Sequence, residues 1–405
     1  MTTTSISVAS PRRVATVAVA GLLAGGVLAP PAQAAPPSPR PAVVQQKLDH
    51  LVGDDTFPGA LAAVKDDRGR VRDYTAGVGN LSTRQPVPRN GRIRSASNTK
   101  PFTAVVMLQL ADEGKVELDA PVETYLPGLV RGEGIDGRNI TVRQLLNHTS
   151  GLPDYIFITS IDFTATRYRQ WEPQELLRAG LTQPALSPPG TRHDYSNTNY
   201  LLAGMLIEKI TGRTIGQEIT SRIIGPLRLR DTYWPAPGEI TIRGAHPRGY
   251  YAEQPGAPLV DATDQNVSAA WAAGALVSTP RDLLTFFTAL LQGKLLTPDL
   301  LRQMQTTVPS GNMNYRGIDE EYGLGLATFP LTCGGTAWTH GGNSPGYLTR
   351  QAVTDNGRGV VLTVTALPQS QESGKQVEDT VNDIMCADRQ RHKRGTAQAH
   401  VDPVG

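Results

Sequence analysis

A Ser-x-x-Lys pattern near position 100 has the residue types and spacing needed for nucleophilic catalysis. Ser97 precedes Lys100 by three residues, and on a helix this spacing places the hydroxyl and the amine on one face. A serine becomes a nucleophile when a neighbouring base removes its proton, and the free N–H groups at a helix start stabilise a developing oxyanion. The pair predicts acyl transfer through Ser97. The alternative is a capping serine and a solvated lysine.

A Tyr-Ser-Asn group at 195–197 is the second candidate for this chemistry. It follows the Pro-Pro-Gly turn at 188–190 and precedes a helical pattern. A phenol beside a lysine loses its proton more easily because the positive charge favours phenolate, so Tyr195 is a candidate base toward Ser97. The Asn197 amide is placed to hold a substrate carbonyl and the lysine. The alternative is a tyrosine packed in a turn with an asparagine cap.

The third candidate group is His340-Gly341-Gly342-Asn343, at the end of a predicted strand. Glycines allow a substrate backbone to lie close against an edge strand, and the N–H that follows them can complete an oxyanion hole with that of Ser97. A histidine at this point supplies a donor or a proton near neutral pH. The alternative is a glycine turn with a surface histidine.

Strand patterns near both ends of the chain must position these groups, while helical patterns fill the middle. Helices are predicted at 44–51, 102–110, 142–146, 171–177, 200–210 and 376–385, and strands at 58–64, 71–79, 322–328, 336–339, 347–353 and 360–366. This order predicts an α/β (α+β) fold in which N- and C-terminal strands share one antiparallel sheet flanked by helices. We expect a single catalytic domain over 42–386, with the sheet from about 42–105 and 270–386 and a mainly helical insertion over about 106–269.

The two ends of the chain have compositions typical of export and of disorder. Arg12 and Arg13 precede an apolar run over 14–29 and an Ala-Gln-Ala site at 32–34, which predicts a signal peptide over 1–34. A Pro-rich linker is expected over 35–41 and a disordered basic tail over 387–405. The run is short and rich in glycine for a membrane anchor. We therefore expect a secreted, extracellular protein with no stable membrane span.

Charge and cysteine content narrow the function classes. The 39 basic and 37 acidic side chains nearly balance, so nothing suggests a nucleic-acid partner. Few histidines occur and none has metal-ligand spacing, so no metal or cofactor is expected. Cys333 and Cys386 are the two cysteines, and an even count in an exported chain favours a disulfide over two free buried thiols.

Taken together and in this order, the three groups are far more specific than any one of them. The chain resembles the serine penicillin-recognising family, which includes secreted D-alanyl-D-alanine carboxypeptidases, class C β-lactamases and related esterases. It is most similar to the carboxypeptidases, which carry a histidine in the third group. The resemblance covers about residues 44–386, is supported by the segments 104–110, 145–152, 201–208 and 274–279, and implies a β-lactamase/transpeptidase-like fold.

The resemblance also implies a role for each candidate residue. Ser97 forms the acyl-enzyme, Lys100 and Tyr195 exchange protons, and Asn197 orients the acyl side chain. The oxyanion is bound by backbone N–H groups of Ser97 and Asn343, and Gly341, Gly342 and Asn343 flank the substrate. His340 assists by charge or proton transfer near the leaving group.

The family resemblance carries expectations about partners as well. They are peptidoglycan stem peptides or small acyl compounds as substrates, β-lactams as inhibitors, a monomeric state and the family's disulfide at Cys333 and Cys386.

Two departures from the family pattern bear on the substrate. An arginine and a threonine that hold the terminal carboxylate of the peptide are replaced by Ala327 and Asn343, which weakens the case for strict carboxypeptidase activity. Arg350 either supplies the charge from another direction or is a solvated strand residue. Trp271 lies two positions later than expected, so it forms the aromatic wall of the site if the register is a strand and is core otherwise.

Several alternatives remain open at this point. Within the same class the chain is an esterase or a β-lactamase rather than a carboxypeptidase. In a different class it is a non-catalytic penicillin sensor or scaffold, although all the reactive residues are present. A Ser-His-Asp hydrolase would pair Ser150 or Ser97 with His148 or His340, yet the chain has no G-x-S-x-G elbow.

Overall fold

The first helix of the structure begins inside the segment predicted to be a linker. A computed structural model describes residues 40–387, apart from 54–55, 67, 157–161 and 312–313. Helix α1 is Arg40–Val52, so residues 40 and 41 are helical; Pro41 is compatible with this because an N–H in the first turn has no acceptor within the helix. The predicted signal peptide, residues 35–39 and the tail beyond residue 387 lie outside the described residues.

Strands from both ends of the chain meet in one antiparallel sheet. The strands are β1 (Gly59–Lys65), β2 (Val71–Gly77), β3 (Ile93–Arg94), β4 (Arg131–Gly132), β5 (Ile135–Asp136), β6 (Tyr250–Tyr251), β7 (Val260–Asp261), β8 (Val277–Ser278), β9 (Val308–Gly311), β10 (Glu320–Tyr322), β11 (Ala327–Pro330), β12 (Thr336–Thr339), β13 (Gly342–Ser344), β14 (Tyr347–Val353) and β15 (Gly359–Val364). Within the described residues, nine of them pair in the order β2-β1-β15-β14-β12-β11-β10-β9, with β13 beside β14. The remaining strands form the pairs β3-β8, β4-β5 and β6-β7. The predicted fold class is confirmed.

Helices fill the middle of the chain and cover both faces of the sheet. They continue with α2 (Thr99–Asp112), α3 (Val122–Tyr125), α4 (Val142–Leu146), α5 (Phe163–Thr166), α6 (Pro173–Gly180), α7 (Asn197–Thr211), α8 (Ile215–Ile219), α9 (Gly225–Leu227), α10 (Trp271–Gly274), α11 (Pro280–Leu291), α12 (Pro298–Met304) and α13 (Gln371–Cys386). The strands of the large sheet lie within 59–77 and 308–364, so the segment between them is the mainly helical part of the chain.

Strand β1 lies between two hydrophobic clusters because successive side chains point to opposite faces of a sheet. Ala60, Ala62 and Val64 pack in the cluster that includes residues of α1 and α13. Leu61 and Ala63 pack in the cluster that includes residues of α2, α7 and α11. A strand that is buried on both faces has a continuous run of apolar residues, and β1 has such a run in the sequence.

The predicted single strand over 322–328 is wrong, because the chain turns back within it. Strands β10 and β11 are joined by a turn in which the Gly323 N–H donates to the Leu326 carbonyl at 2.8 Å, and Gly325 has a φ of 80°. Two glycines allow this tight reversal, although the alternation of side chains suggested one continuous strand.

The last helix also begins five residues earlier than predicted, because the Ser370 side chain caps it by accepting from the Ser373 N–H.

The predicted disulfide between Cys333 and Cys386 is confirmed. It joins the turn between β11 and β12 to the last residue of α13, across a sequence separation of 53 residues. The bond therefore ties the C-terminal helix to the half of the sheet that carries the third candidate group.

Candidate active site

Ser97 lies in a tight turn that leads directly into α2. Strand β3, which pairs with β8, precedes this turn, and Ser95 anchors the turn by donating its N–H and its hydroxyl to the Leu276 carbonyl at 2.9 and 2.6 Å. A 3-10 turn over Ala96–Asn98 follows, in which Ala96 has a φ of 48°. A non-glycine residue in this region is strained, and such strain is held only where the surroundings over-determine the conformation. The turn thus presents Ser97 at the N-terminal end of α2.

Lys100 is completely buried, and its amine makes three contacts. Nζ lies 3.0 Å from Ser97 Oγ, 2.8 Å from Asn197 Oδ1 and 3.0 Å from the Ala273 carbonyl oxygen. Burial lowers the pKa of Lys100 to about 7, while the Asp154 carboxylate acts in the opposite direction. A neutral amine has two N–H bonds and one lone pair, so the two carbonyl oxygens take the hydrogens and the lone pair faces Ser97 Oγ. Lys100 therefore can take the Ser97 proton near neutral pH.

The Tyr195 hydroxyl also contacts the nucleophile, at 3.0 Å from Ser97 Oγ. Burial raises the pKa of Tyr195, with a smaller opposing effect from its hydrogen bond with Ser97. Burial therefore does not favour the predicted phenolate base, because loss of solvation destabilises the charged form. A protonated Tyr195 can act as an acid, and a neutral Lys100 can act as a base.

Asn197 begins α7 and connects Lys100 to Asp154. Its Nδ2 donates to Asp154 Oδ2 at 2.8 Å, which leaves its Oδ1 to accept from Lys100. Ser196 caps the same helix by accepting the Thr198 N–H. The cap fixes the backbone, and the carboxylate fixes which end of the amide faces the lysine.

Strand β13 lies directly against the turn that carries the nucleophile. A Cβ on Gly342 would meet the Ser95 carbonyl oxygen at 2.3 Å and Asn98 Nδ2 at 2.5 Å, so only glycine fits there. A Cβ on Gly341 would meet the end of the Arg350 side chain at 3.0 Å. Gly342 is thus the position that allows the third group to approach Ser97.

His340 is buried and uncharged. Burial lowers the pKa of His340 to about 3, with the Lys100 charge acting in the same direction. Its Nδ1 lies 2.8 Å from the Gly341 carbonyl oxygen and its Nε2 lies 2.8 Å from the Tyr322 hydroxyl. Since a carbonyl only accepts, Nδ1 carries the hydrogen and Nε2 accepts from Tyr322. The predicted assistance through positive charge is therefore not available near neutral pH, because the imidazolium would be desolvated.

Two cavities meet at the nucleophile, and Ser97, Asn197 and Asn343 border both. The charged cavity has a volume of about 470 Å³ and is named for four residues in its wall: Arg316, Glu320, Arg350 and Glu378. The apolar cavity has a volume of about 370 Å³ and is named for three aromatic residues in its wall: Phe163, Trp171 and Tyr251. A carbonyl at Ser97 would thus have one substituent in an aromatic environment and the other in a charged one.

The two positions at which the family has carboxylate-binding residues, an arginine and a threonine, lie in the wall of the charged cavity. Ala327 and Asn343 both border it and bring no charge. Arg350 also borders it, with 13% of its side chain exposed, so the interpretation of a solvated strand residue is wrong. Its Nε lies 3.0 Å from Glu378 Oε1, and its Nη1 donates to Asn343 Oδ1 at 2.7 Å. The guanidinium is therefore already paired with a carboxylate.

Trp271 does not form the aromatic wall that the sequence suggested. It lies on the short helix α10 rather than on a strand, with a φ of 35°, and packs against the core around Gly204 of α7. The strand register on which that prediction depended is absent, so the alternative of a core residue holds. Trp171 and Phe163 border the apolar cavity instead.

The Ser-His-Asp alternative does not fit the contacts. Ser150 Oγ donates to Asn199 Oδ1 at 2.5 Å, while His148 Nδ1 accepts from the Ser196 N–H at 3.2 Å. His340 contacts Tyr322 and Gly341 rather than Ser97.

The described residues contain no group of three or more His, Cys, Asp or Glu side chains able to hold a metal ion. No helix in the described part of the chain is long and apolar enough to cross a membrane.

Three groups of the site were not found in the sequence. The contact of the Ala273 carbonyl oxygen with Lys100 could not be predicted, because every residue has a backbone carbonyl. Asp154 follows the Gly-Leu-Pro segment at 151–153, a loop position that gave no reason to expect Asn197 as its partner. Tyr322 reads as a strand residue, and only folding brings it to His340.

Comparison with known proteins agrees with this geometry. The chain matches the family model described as Beta-lactamase over residues 44–380. A D-stereospecific amidohydrolase from Streptomyces sp. has a similar structure, with a TM-score of 0.76 and 40% identity over 84% of this chain and 98% of that one. D-amino acid amidase from Ochrobactrum anthropi SV3, solved with L-phenylalanine amide, gives a TM-score of 0.75 and 27% identity over 88% and 100%.

Curated relatives are matched over part of their length. Protein flp from Staphylococcus aureus (strain MW2) is 27% identical over 227 residues, 55% of this chain and 44% of that protein. Penicillin-binding protein 4 from Amycolatopsis lactamdurans is 30% identical over 189 residues, 46% and 48% respectively. The chain thus spans about half the length of these relatives. With the Ser97, Lys100 and Tyr195 contacts in place, the chain belongs to the beta-lactamase family of serine hydrolases, together with penicillin-binding proteins and D-amino acid amidases.

Proposed function

We propose that this protein is a serine amidohydrolase that cleaves amides and esters of D-amino acids through an acyl-enzyme on Ser97. The observation that carries the proposal is the contact of Ser97 Oγ with both Lys100 Nζ and Tyr195 OH at 3.0 Å. A base and an acid on one nucleophile are what acyl transfer to and from serine requires.

The contacts support a specific order of proton transfers. Neutral Lys100 takes the Ser97 proton as Oγ attacks the carbonyl carbon, and the N–H groups of Ser97 and Asn343 are the nearest candidates to bind the oxyanion. Tyr195 gives its proton to the leaving nitrogen as the C–N bond breaks, and the phenolate that remains can take a proton from water in the next step. Lys100 keeps its proton until it returns it to Ser97 Oγ. Water then attacks the acyl-enzyme by the reverse sequence, releasing the acid.

Three observations favour D-amino acid amides over peptides with a free carboxylate. The similar Streptomyces and Ochrobactrum structures are a D-stereospecific amidohydrolase and a D-amino acid amidase. The apolar cavity offers Phe163, Trp171 and Tyr251 to an apolar side chain. In the charged cavity, Arg350 is held by Glu378, so a terminal carboxylate would have to compete with an existing ion pair.

The second candidate is a D-alanyl-D-alanine carboxypeptidase that acts on peptidoglycan stem peptides and is inhibited by β-lactams. The similarity to penicillin-binding protein 4 favours it, as does an arginine in the cavity wall. An esterase or β-lactamase would use the same groups, and a penicillin sensor would stop at the acyl-enzyme. For each of these, we propose export through the N-terminal segment 1–34 and action outside the cell as a monomer.

A single set of substrates separates these functions. Purified protein is incubated with D- and L-phenylalanine amide, a peptide ending in D-alanyl-D-alanine, a short-chain ester and a cephalosporin. We expect ammonia release from the D-amide to be fastest and to be abolished in Ser97→Ala. Faster release of D-alanine would favour the carboxypeptidase instead, and stable acylation without turnover would favour the sensor.

Mass spectrometry identifies the nucleophile independently of the substrate. After exposure to a penicillin, we expect the adduct on the peptide that contains Ser97. Modification of the peptide that contains Ser150, with Ser97 unmodified, would contradict the proposed mechanism.

A further inference from the structure

His148 holds the backbone on both sides of Tyr195, although it does not touch the nucleophile itself. The Asp194 N–H donates to the His148 carbonyl oxygen at 2.8 Å, and the Ser196 N–H donates to His148 Nδ1 at 3.2 Å. Asp194 and Ser196 are the residues before and after Tyr195. One residue thus accepts both neighbouring N–H groups, so the backbone of the tyrosine is fixed relative to His148 at two points.

The His148 ring also packs against the Tyr195 ring. The two ring centroids are 4.3 Å apart, with an angle of 31° between the ring planes. His148 is completely buried, and the rings of Tyr200 and Tyr322 lie close to it, with centroid distances of 5.3 and 5.1 Å. Side chains in a close-packed interior do not shift without moving their neighbours. The imidazole therefore limits where the Tyr195 hydroxyl can lie, at 3.0 Å from Ser97 Oγ.

The hydrogen bonds of His148 Nδ1 determine the tautomer of the ring. A backbone N–H only donates, so Nδ1 accepts from Ser196 and carries no hydrogen. The Asn199 side-chain atom 3.0 Å from Nδ1 is then the donor Nδ2, and Asn199 Oδ1 accepts from the Ser150 hydroxyl. The hydrogen lies on Nε2, for which the described residues provide no acceptor. Burial also lowers the pKa of His148 well below its usual value, so the ring stays neutral and serves as an acceptor through Nδ1.

The backbone of His148 adopts an uncommon conformation. Its φ is 58°, in the left-handed region that residues other than glycine seldom enter. Such a conformation persists only where the surroundings over-determine it, and it occurs mainly at functional sites. At His148, the hydrogen bonds from Asp194, Ser196 and Asn199 hold the backbone and the side chain together. The same contacts that hold this conformation are the ones that fix the segment around Tyr195.

We infer that His148 is a positioning residue that sets the place of the Tyr195 hydroxyl beside Ser97, through its hydrogen bonds to the backbone on both sides of the tyrosine. Without the Nδ1 acceptor, the N–H of Ser196 and the amide of Asn199 would be buried donors with no partner, which is costly, so the segment would move. A displacement of about 1 Å is enough to slow catalysis about a hundredfold. This inference rests on the proposed amidohydrolase function and names a residue on which its proton donor depends.

Two substitutions at His148 separate the acceptor from the rest of the side chain. His148→Leu removes the acceptor. His148→Asn is of similar size and keeps one, because an asparagine Oδ1 and a histidine Nδ1 are both bonded to Cγ, and asparagine also tolerates a positive φ. For D-phenylalanine amide, we expect kcat/KM to fall about a hundredfold in His148→Leu, mainly in kcat, and much less in His148→Asn. Hydrolysis of a nitrophenyl ester should fall less than that of the amide, because its leaving group does not need the Tyr195 proton.

A double-mutant cycle with Tyr195→Phe tests whether the effect passes through the tyrosine hydroxyl. Tyr195→Phe has no hydroxyl to place, so adding His148→Leu to it should change kcat for the amide by less than about twofold. Leu206→Ala is the control, since Leu206 is buried in the later half of α7 and its truncation leaves a cavity there. This variant should be less stable in urea, yet its amide-to-ester rate ratio should equal that of the wild type. Circular dichroism confirms that each variant is folded.

The outcomes separate this inference from the proposed function. If His148→Leu costs as much in the Tyr195→Phe background as in the wild type, or if folded His148→Leu keeps wild-type kcat/KM, the positioning role is overturned while the amidohydrolase remains. Equal losses in His148→Leu and His148→Asn overturn it as well, because the acceptor would then not matter. If His148→Leu is not folded, His148→Gln, whose acceptor lies one bond further from the backbone, completes the same cycle. Absence of amide hydrolysis by the wild type overturns the proposed function and the inference with it.

Discussion

Asp154 Oδ2 lies 2.8 Å from Asn197 Nδ2, and this hydrogen bond decides which atom of the Asn197 amide faces Lys100. With Nδ2 engaged, Oδ1 accepts from Lys100 Nζ. The Asp154 carboxylate therefore acts on the base both by orienting Asn197 and by its charge, which raises the pKa of Lys100 against the larger lowering effect of burial.

The first prediction concerns the pH dependence of the reaction. The pKa of Lys100 lies at about 7, so the amine is neutral and active above this pH and protonated and inactive below it. We expect kcat/KM to rise with pH through about 7. Asp154→Asn keeps an oxygen for Asn197 but removes the charge, so the ammonium is less stable and the rise should move to lower pH.

Rates of amide hydrolysis from pH 5 to 9 measure this effect. Asp119→Asn is the control, since Asp119 pairs with Arg143 in an exposed ion pair outside the catalytic contacts. A profile of Asp154→Asn displaced to higher pH would contradict the assigned sign.

The second prediction concerns Tyr195 as the proton donor. Tyr195→Phe removes the hydroxyl 3.0 Å from Ser97 Oγ and keeps the ring. The amine that leaves from an amide must be protonated, whereas the nitrophenolate that leaves from a nitrophenyl ester need not be. Amide hydrolysis should therefore fall about 10²- to 10⁴-fold, and nitrophenyl ester hydrolysis much less. Tyr125→Phe, a change at a hydroxyl that only accepts the Glu117 N–H, should leave both rates unchanged. Equal losses for ester and amide would assign Tyr195 to the attack step instead.

The third prediction compares two neighbouring glycines. Gly342→Ala would place Cβ 2.3 Å from the Ser95 carbonyl oxygen, which is backbone and cannot move alone. We expect a loss of more than about tenfold in kcat/KM and about 2 kcal/mol in stability, because β13 must move away from the nucleophile turn. Gly341→Ala meets the end of the Arg350 side chain at 3.0 Å and should cost less in both measurements. Rate assays and urea denaturation of both variants measure these effects. Equal losses in the two variants would show that the contact of residue 342 with Ser95 does not determine activity or stability.

The fourth prediction concerns the disulfide. Cys333 and Cys386 close a loop with a sequence separation of 53 residues. Chain entropy then predicts that the double variant Cys333→Ser/Cys386→Ser loses about 4 kcal/mol of unfolding free energy, and that a reductant lowers the stability of the wild type but not of the variant. The kcat/KM at 20 °C should remain near wild type, since neither cysteine borders the two cavities at Ser97. A stability that does not respond to reductant in the wild type would contradict the prediction.

Local patterns were enough to predict much of the architecture. Strands 336–339 and 347–353 coincide with β12 and β14 because alternation and apolar runs are local signals. The predicted strand 322–328 failed because Gly323 and Gly325 permit a reversal that alternation does not reveal. The alternative that Trp271 forms the aromatic wall failed for a similar reason. A shift of two residues keeps a side chain on the same face of a strand, but Trp271 lies on a helix, where the same shift changes the face.

The sequence by itself determined the reactive residue types, their order along the chain and the sheet that joins its two ends. Ser97 and Lys100 are separated by one helical turn, so their contact follows from local geometry. Only the tertiary structure decided their protonation states. Burial lowers the pKa values of Lys100 and His340 and raises that of Tyr195, because solvation depends on neighbours distant in sequence.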